Sequence, residues 1–382
     1  NLLWAGTLDS KDVAFTHFLL LGSLAAASIP TTYEEIPQFL AGKEYVFKYE
    51  TQVLTGVPVG ETPFSGLKIR AKVIVQPKSI RNLFDIKLKD VELYKVTKVL
   101  SLDKLEGALP DEHFVPITGE EAELIKREVI KPFRIKYRKG IINKAYVLNS
   151  DPLWSVNIKK GILNLLQVKI HEEPKPQQPS WSIFRNIPEA APIIPSFEAE
   201  ENDFAGDCKS LYTIDPVPAT RQTPGIFTVT KIKDFDSCKR LPLVLAGLLP
   251  SVFCDKKCPF IKSHVVMPHT WATLKLVGTL EQFIIQEATL TGRYILAPFE
   301  PKSGHVATIL RQHLLLLSVK TVETPMTIPQ ADLVVLAQPL QPLLQEEVSM
   351  LASTLPSAKL SAEVQAKRIE EVKRLINIMV EK

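Results

Sequence analysis

The chain has 382 residues, a formal net charge of +4, 45% hydrophobic and 23% charged residues. That length allows two domains with a substantial core, and the charge balance is too mild for a chain whose whole surface binds nucleic acid. It contains no apolar run long enough to cross a bilayer as a helix, so no transmembrane span is expected.

At the front, FLLLGSLAAAS (18–28) is a short apolar run closing on Ala25, Ala26 and Ala27, the pattern of a secretory signal with its small-residue cleavage site. Residues 1–27 are therefore set aside as a leader and signal region. Asp9 and Asp12 stand where a basic segment belongs and the first methionine is Met267, so residues 1–15 are expected to be translated leader.

From 43 to 170 the hydrophobic period is two. Leu67, Ile69, Ala71, Val73 and Val75 alternate with Lys68, Arg70 and Lys72; Phe84, Ile86 and Leu88 alternate with Asp85, Lys87 and Lys89, and the phase slips near Asp90, which predicts a bulge. A loop with a short helix starting near Thr118 is expected within 105–132. Phe133, Ile135 and Tyr137 alternate with Arg134, Lys136 and Arg138, a half-buried strand with a basic outer face. Between 131 and 160 there are eight Lys/Arg and a single acid, Asp151, so this face should attract anionic partners. After two or three strands, the run up to Ile170 reads as an apolar, Asn-containing turn into another buried stretch.

Residues 171–207 hold six prolines and many acids, the composition of an extended connector. Strands are expected again at 209–214, 226–232, 272–277, 282–297 and 304–320, with KRLPLVLAGLLPSVF (239–253) apolar on nearly all sides. After about 321 the period shifts to 3.6: Leu340, Leu343, Leu344, Val348 and Leu351 form one stripe, Pro356 stops it, and Ser361 opens an amphipathic helix that runs to the last residue. Such a helical hairpin must stack on neighbours to bury its face, so the chain is expected to continue beyond Lys382.

Candidate chemistry is sparse. Serine-hydrolase elbow, P-loop and H-E-x-x-H patterns are absent and the seven histidines are scattered, so an enzyme is not expected. Cys254, Cys258, His264 and His269 give C-x3-C-x5-H-x4-H, too short between Cys and His for a zinc finger, so no metal is expected. In a chain with a secretory signal, the four cysteines Cys208, Cys238, Cys254 and Cys258 read as disulfides, with three pairings open. In TVTKIKDFDSC (228–238), alternation puts Thr228, Thr230 and Ile232 on one side and Val229, Lys231 and Lys233 on the other. The lysine pair is expected to project from an exposed strand face, where by itself it is ordinary solvated surface.

The ordered set FLAGKEYVFKYETQVLTGVP (39–58), SGLKIRAKVIV (65–75), LFDIKLKDVELY (83–94), the 131–170 segment with GILNLLQ, GDCKSLYTI (206–214), TVTKIKDFDSC and CDKKC (254–258) resembles the N-terminal module of vitellogenin and its relatives, the large lipid-transfer proteins. The likeness covers about 37–320. It implies an α+β fold: a β-barrel-like N-terminal domain (28–320, with the 171–207 connector inside it) around a buried helix placed at 239–253, followed over 321–382 by the start of an α-helical solenoid. It further implies the pairings Cys208–Cys238 and Cys254–Cys258. Lys231, Lys233 and Asp234 would engage a low-density lipoprotein receptor family member, with Arg134, Lys136 and Arg138 as a weaker basic contributor. The implied function is that of the N-terminal part of a secreted yolk-precursor lipoprotein carrying lipid and taken up by oocytes. The other branches of the family, circulating apolipophorin or apolipoprotein B carriers and the microsomal transfer subunit, are the alternatives. No cofactor beyond lipid bound by the full-length protein is implied and no nucleic-acid partner; a homodimer of the full-length protein is.

Overall fold

The computed structural model describes residues 38–57, 62–80, 82–100, 107–170, 196–203, 206–216, 220–239, 266–296 and 306–336. Their strands are β1 (Lys43–Gly56), β2 (Thr62–Pro77), β3 (Leu83–Leu100), β4 (Val115–Pro116), β5 (Phe133–Arg138), β6 (Ile141–Leu148), β7 (Ser196–Asp203), β8 (Gly206–Asp215), β9 (Gly225–Asp234), β10 (Val266–Gly278), β11 (Phe283–Leu296), β12 (Val306–Thr321) and β13 (Leu333–Val335). The helices are α1 (Glu120–Val129) and α2 (Leu153–Leu166). The strands form one 13-stranded sheet in the order β13-β6-β5-β3-β2-β1-β12-β11-β10-β9-β8-β7, with β4 paired to β3. Every pairing is antiparallel. No helix among the described residues is long and apolar enough to cross a membrane.

The period-two reading is met strand by strand. Tyr45, Phe47 and Tyr49 of β1, Ile69, Ala71 and Val73 of β2, and Phe133, Ile135 and Tyr137 of β5 all enter a single buried cluster. The slip at Asp90 is a bulge: the β2–β3 register shifts between Arg70 and Lys72, and Asp90 takes a positive φ of 52°. β5 and β6 are joined by Lys139 and Gly140, both at positive φ (49° and 82°), as a two-residue hairpin turn demands. A side chain at Gly140 would also strike the Val168 carbonyl, 2.4 Å from its Cβ position.

The expected fold class is corrected. The described residues form an open antiparallel sheet with two helices, not an α+β barrel followed by a solenoid: the path ends at the unpaired edges of β7 and β13. The helix in the core is α2, where the sequence predicts a turn and a buried run. Its Trp154, Val156, Ile162, Leu163, Leu165 and Leu166 join the sheet's inner face in the main cluster. A short run that is apolar on most sides carries no decisive period, and length and packing decide it. Residues 239–253, where the buried helix was placed, lie outside the described residues apart from Lys239, as do 337–382 with the helical stripe. Within 321–336 the chain is mostly irregular, with one short 3-10 turn at Gln330–Asp332, and adds the short strand β13 beside β6. The tail of the Pro-rich connector is likewise a strand, β7, because Phe197, Ala199, Glu201 and Asp203 alternate inward.

Candidate functional site

β9 delivers the lysine pair singled out from the sequence, but to the inner face. Its residues from Phe227 onward alternate between partly exposed Thr228, Thr230 and Ile232 and buried Val229, Lys231 and Lys233. Lys231 is 6% and Lys233 8% exposed. The expectation that they project freely is therefore wrong. Strand parity placed the pair correctly with Val229 but could not say which face was covered.

Two carboxylates from β7 receive them. Lys233 Nζ lies 2.7 Å from Asp203, and Lys231 Nζ lies 3.5 Å from both Glu201 oxygens while donating to the Gln167 carbonyl at 3.0 Å. Ser210 donates to Glu201 at 2.8 Å. Burial alone would raise the Glu201 carboxyl. The charges of Lys231 and Lys233, with hydrogen bonds from Tyr212 and Ser210, outweigh it and hold Glu201 below its usual range. Burial, then the neighbouring Glu201 charge, pushes the Tyr212 phenol well above its usual value. The space between Asn164, Ser210, Lys231, Lys233 and Ala272 is about 20 Å³, room for one water and nothing larger. Two cations meeting two anions in so small a space form a closed, neutral quartet with structural chemistry, not an open binding site.

The acids of this quartet are what the sequence reading missed. Glu201 and Asp203 are spaced by two, as Lys231 and Lys233 are, and follow two apolar inward positions. That alternation inside the acidic segment was the available signal. Asp234, the third residue assigned to receptor contact, is exposed and accepts from the Asp236 backbone N–H at 3.0 Å, capping a short turn. That turn leads to Cys238, which is disulfide-bonded to Cys208 and so pins β8 to the end of β9. Cys254 and Cys258 lie outside the described residues.

The basic face of β5 is partly spent. Arg134 forms a two-pronged bond to buried Asp85, at 2.6 and 3.0 Å, which raises the guanidinium further. Lys136 and Arg138 are exposed, and Lys136 sits directly opposite Lys144 of β6. A further ionic network lies on the outer face, where Lys68 bridges Glu50 (2.9 Å) and Asp111 (2.5 Å) and Arg70 contacts both acids. Among the described residues no group of three or more His, Cys, Asp or Glu side chains is placed to hold a metal.

The chain has known relatives. The vitellogenin N-terminal domain model matches residues 39–324. Vitellogenin-6 of Caenorhabditis elegans is 25% identical over 308 residues, covering 75% of this chain and 17% of that protein. The vitellogenin of Acipenser transmontanus is 26% identical over 303 residues, covering 79% of this chain and 16% of its own length. The chain thus spans about a sixth of these relatives. A solved structure concerned with lipid–protein interactions in lipovitellin superposes with a TM-score of 0.56 at 20% identity, over 76% of this chain and 27% of that one, which shows a shared fold. With a match that runs through the sheet from the start of the described residues to beyond β12, the chain belongs to the vitellogenin N-terminal domain family.

Proposed function

We propose that this chain is the N-terminal region of a secreted, vitellogenin-type lipoprotein that carries lipid and is stored as yolk. The observation that carries the reading is the family match over residues 39–324, supported by a fold shared with lipovitellin. In this role the region is a non-catalytic scaffold, with lipid held by the full-length protein. Uptake by a lipoprotein-type receptor and pairing of two full-length copies extend the same reading. Of the residues assigned to receptor contact, Lys136, Arg138 and Asp234 are exposed and available to a partner. Lys231 and Lys233 support it from beneath, by tying β9 to β7 across β8.

An antibody against residues 39–324 tests this. It should recover, from extracellular fluid, a far longer polypeptide that floats on a density gradient with bound phospholipid and neutral lipid. A lipid-free protein that sediments as ordinary protein, or one confined to cells, would sink the proposal.

A further inference from the structure

The outer face of the β8–β11 region carries a feature the family reading does not use. The register sets Leu211 opposite Ile232 and Ile232 opposite Trp271. These three apolar neighbours are 38%, 51% and 42% exposed. A contiguous apolar surface that stays in water, unlike a lone exposed leucine, asks for a partner.

Beside this ladder, His269 of β10 sits directly opposite Arg293 of β11, and both are exposed. The pair brings a guanidinium and an imidazole, both able to donate hydrogen bonds, to one edge of the ladder. The Arg293 charge is also felt by Arg311, whose guanidinium is held below its usual range by burial and then by Arg293. Ile232, Trp271, His269, Arg293 and Lys233 together line a concavity of about 330 Å³, within the size range of small-molecule sites. Its described lining residues include no carboxylate. Lys233 is itself neutralised by Asp203 at 2.7 Å, so the positive charge this lining offers is that of Arg293.

An aromatic and aliphatic floor selects apolar groups, and the exposed Arg293 guanidinium at its margin selects an anion. One molecule satisfies both when an anionic head is joined to a hydrocarbon chain. We propose that this concavity binds a single-chain anionic amphiphile, with Arg293 and His269 on the head and Trp271 and Ile232 against the first methylenes.

Titration of the chain with sodium oleate and with oleoyl lysophosphatidic acid, each below its micelle concentration, tests it by tryptophan fluorescence and calorimetry. Monooleoylglycerol serves as the neutral control. Saturable binding of either anion with weak or no binding of the neutral lipid is expected, and the tighter anion identifies the head as carboxylate or phosphate. Arg293→Glu should weaken binding by about tenfold or more, the effect of losing one charge-assisted contact. Trp271→Phe should abolish the fluorescence change while calorimetry still detects the ligand. Both positions are exposed, so both variants should keep the parental melting curve. Equal affinity for monooleoylglycerol, undiminished binding by Arg293→Glu, or no saturable binding of either anion would overturn the proposal.

Discussion

Replacing Lys233 with alanine leaves Asp203 facing Ser210 and Asn164 in a space that holds one water, without its ammonium partner at 2.7 Å. Breaking one side of a buried ion pair is far more damaging than removing a surface charge. Lys233→Ala should therefore cost about 3–5 kcal/mol, read as a lower urea midpoint. Lys231→Ala should behave similarly through Glu201. The double change is expected to be a folding variant, so any loss of receptor binding it shows would report on the β7–β9 scaffold. A double variant with the parental urea midpoint would mean the pair is solvated surface after all. Lys136→Ala and Arg138→Ala, at exposed positions, make the cleaner receptor test and should leave stability within about 0.5 kcal/mol.

At the scale of elements, α2 explains how a helix lies against the sheet with polar residues on it. Gly161 allows the approach: a Cβ there would lie 2.9 Å from Gln312 Nε2, which donates to the Tyr49 hydroxyl at 2.8 Å. Lys159 contacts Asp151, and Lys160 is fully buried, its ammonium pushed down to about 8 by burial. The unfolded chain holds the Lys160 proton up to its ordinary value of 10.5, so between these limits it binds more protons than the native state. Stability should consequently rise as pH rises from 8. The gain should end near pH 10, where unfolding releases phenols such as Tyr49, itself raised to about 12 by burial. Thermal melts across this window should show the rise in the parent and a flatter profile in Lys160→Met. Identical profiles would show that Lys160 does not titrate as a buried group.

For the molecule as a whole, the carboxylates that tie loops and strands together share a depressed titration. Glu281, bonded to Lys139 and Arg221, is lowered to about 2. Asp111, through Arg70 and Lys68, is also lowered. Glu50 and Glu201 are lowered as well, by their cationic partners against the opposing effect of burial. A carboxyl with a depressed native pKa contributes stability that is fully present above its unfolded value and is lost as pH falls through the native one. Stability should therefore decline from about pH 4.5, the ordinary value for Glu281, toward pH 2. Circular dichroism of acid unfolding checks this, and a chain equally stable at pH 5 and pH 2.5 would contradict it.

What the sequence determined by itself was local and periodic. The alternations at 67–75 and 133–138 made strands, the slip at Asp90 made a bulge, and the ordered motifs around the cysteines placed the chain in its family. These depend on neighbours within a few residues, where side-chain direction follows from backbone geometry alone. Tertiary structure decided which face of β9 was covered, and so turned Lys231 and Lys233 from surface into a quartet with acids thirty residues away in the chain. It also decided that the run at 153–166 is a helix and that the described sheet stays open between β13 and β7. Alternation says that a lysine faces one side of a strand. Only the chain packed against that side says whether water or a carboxylate waits there.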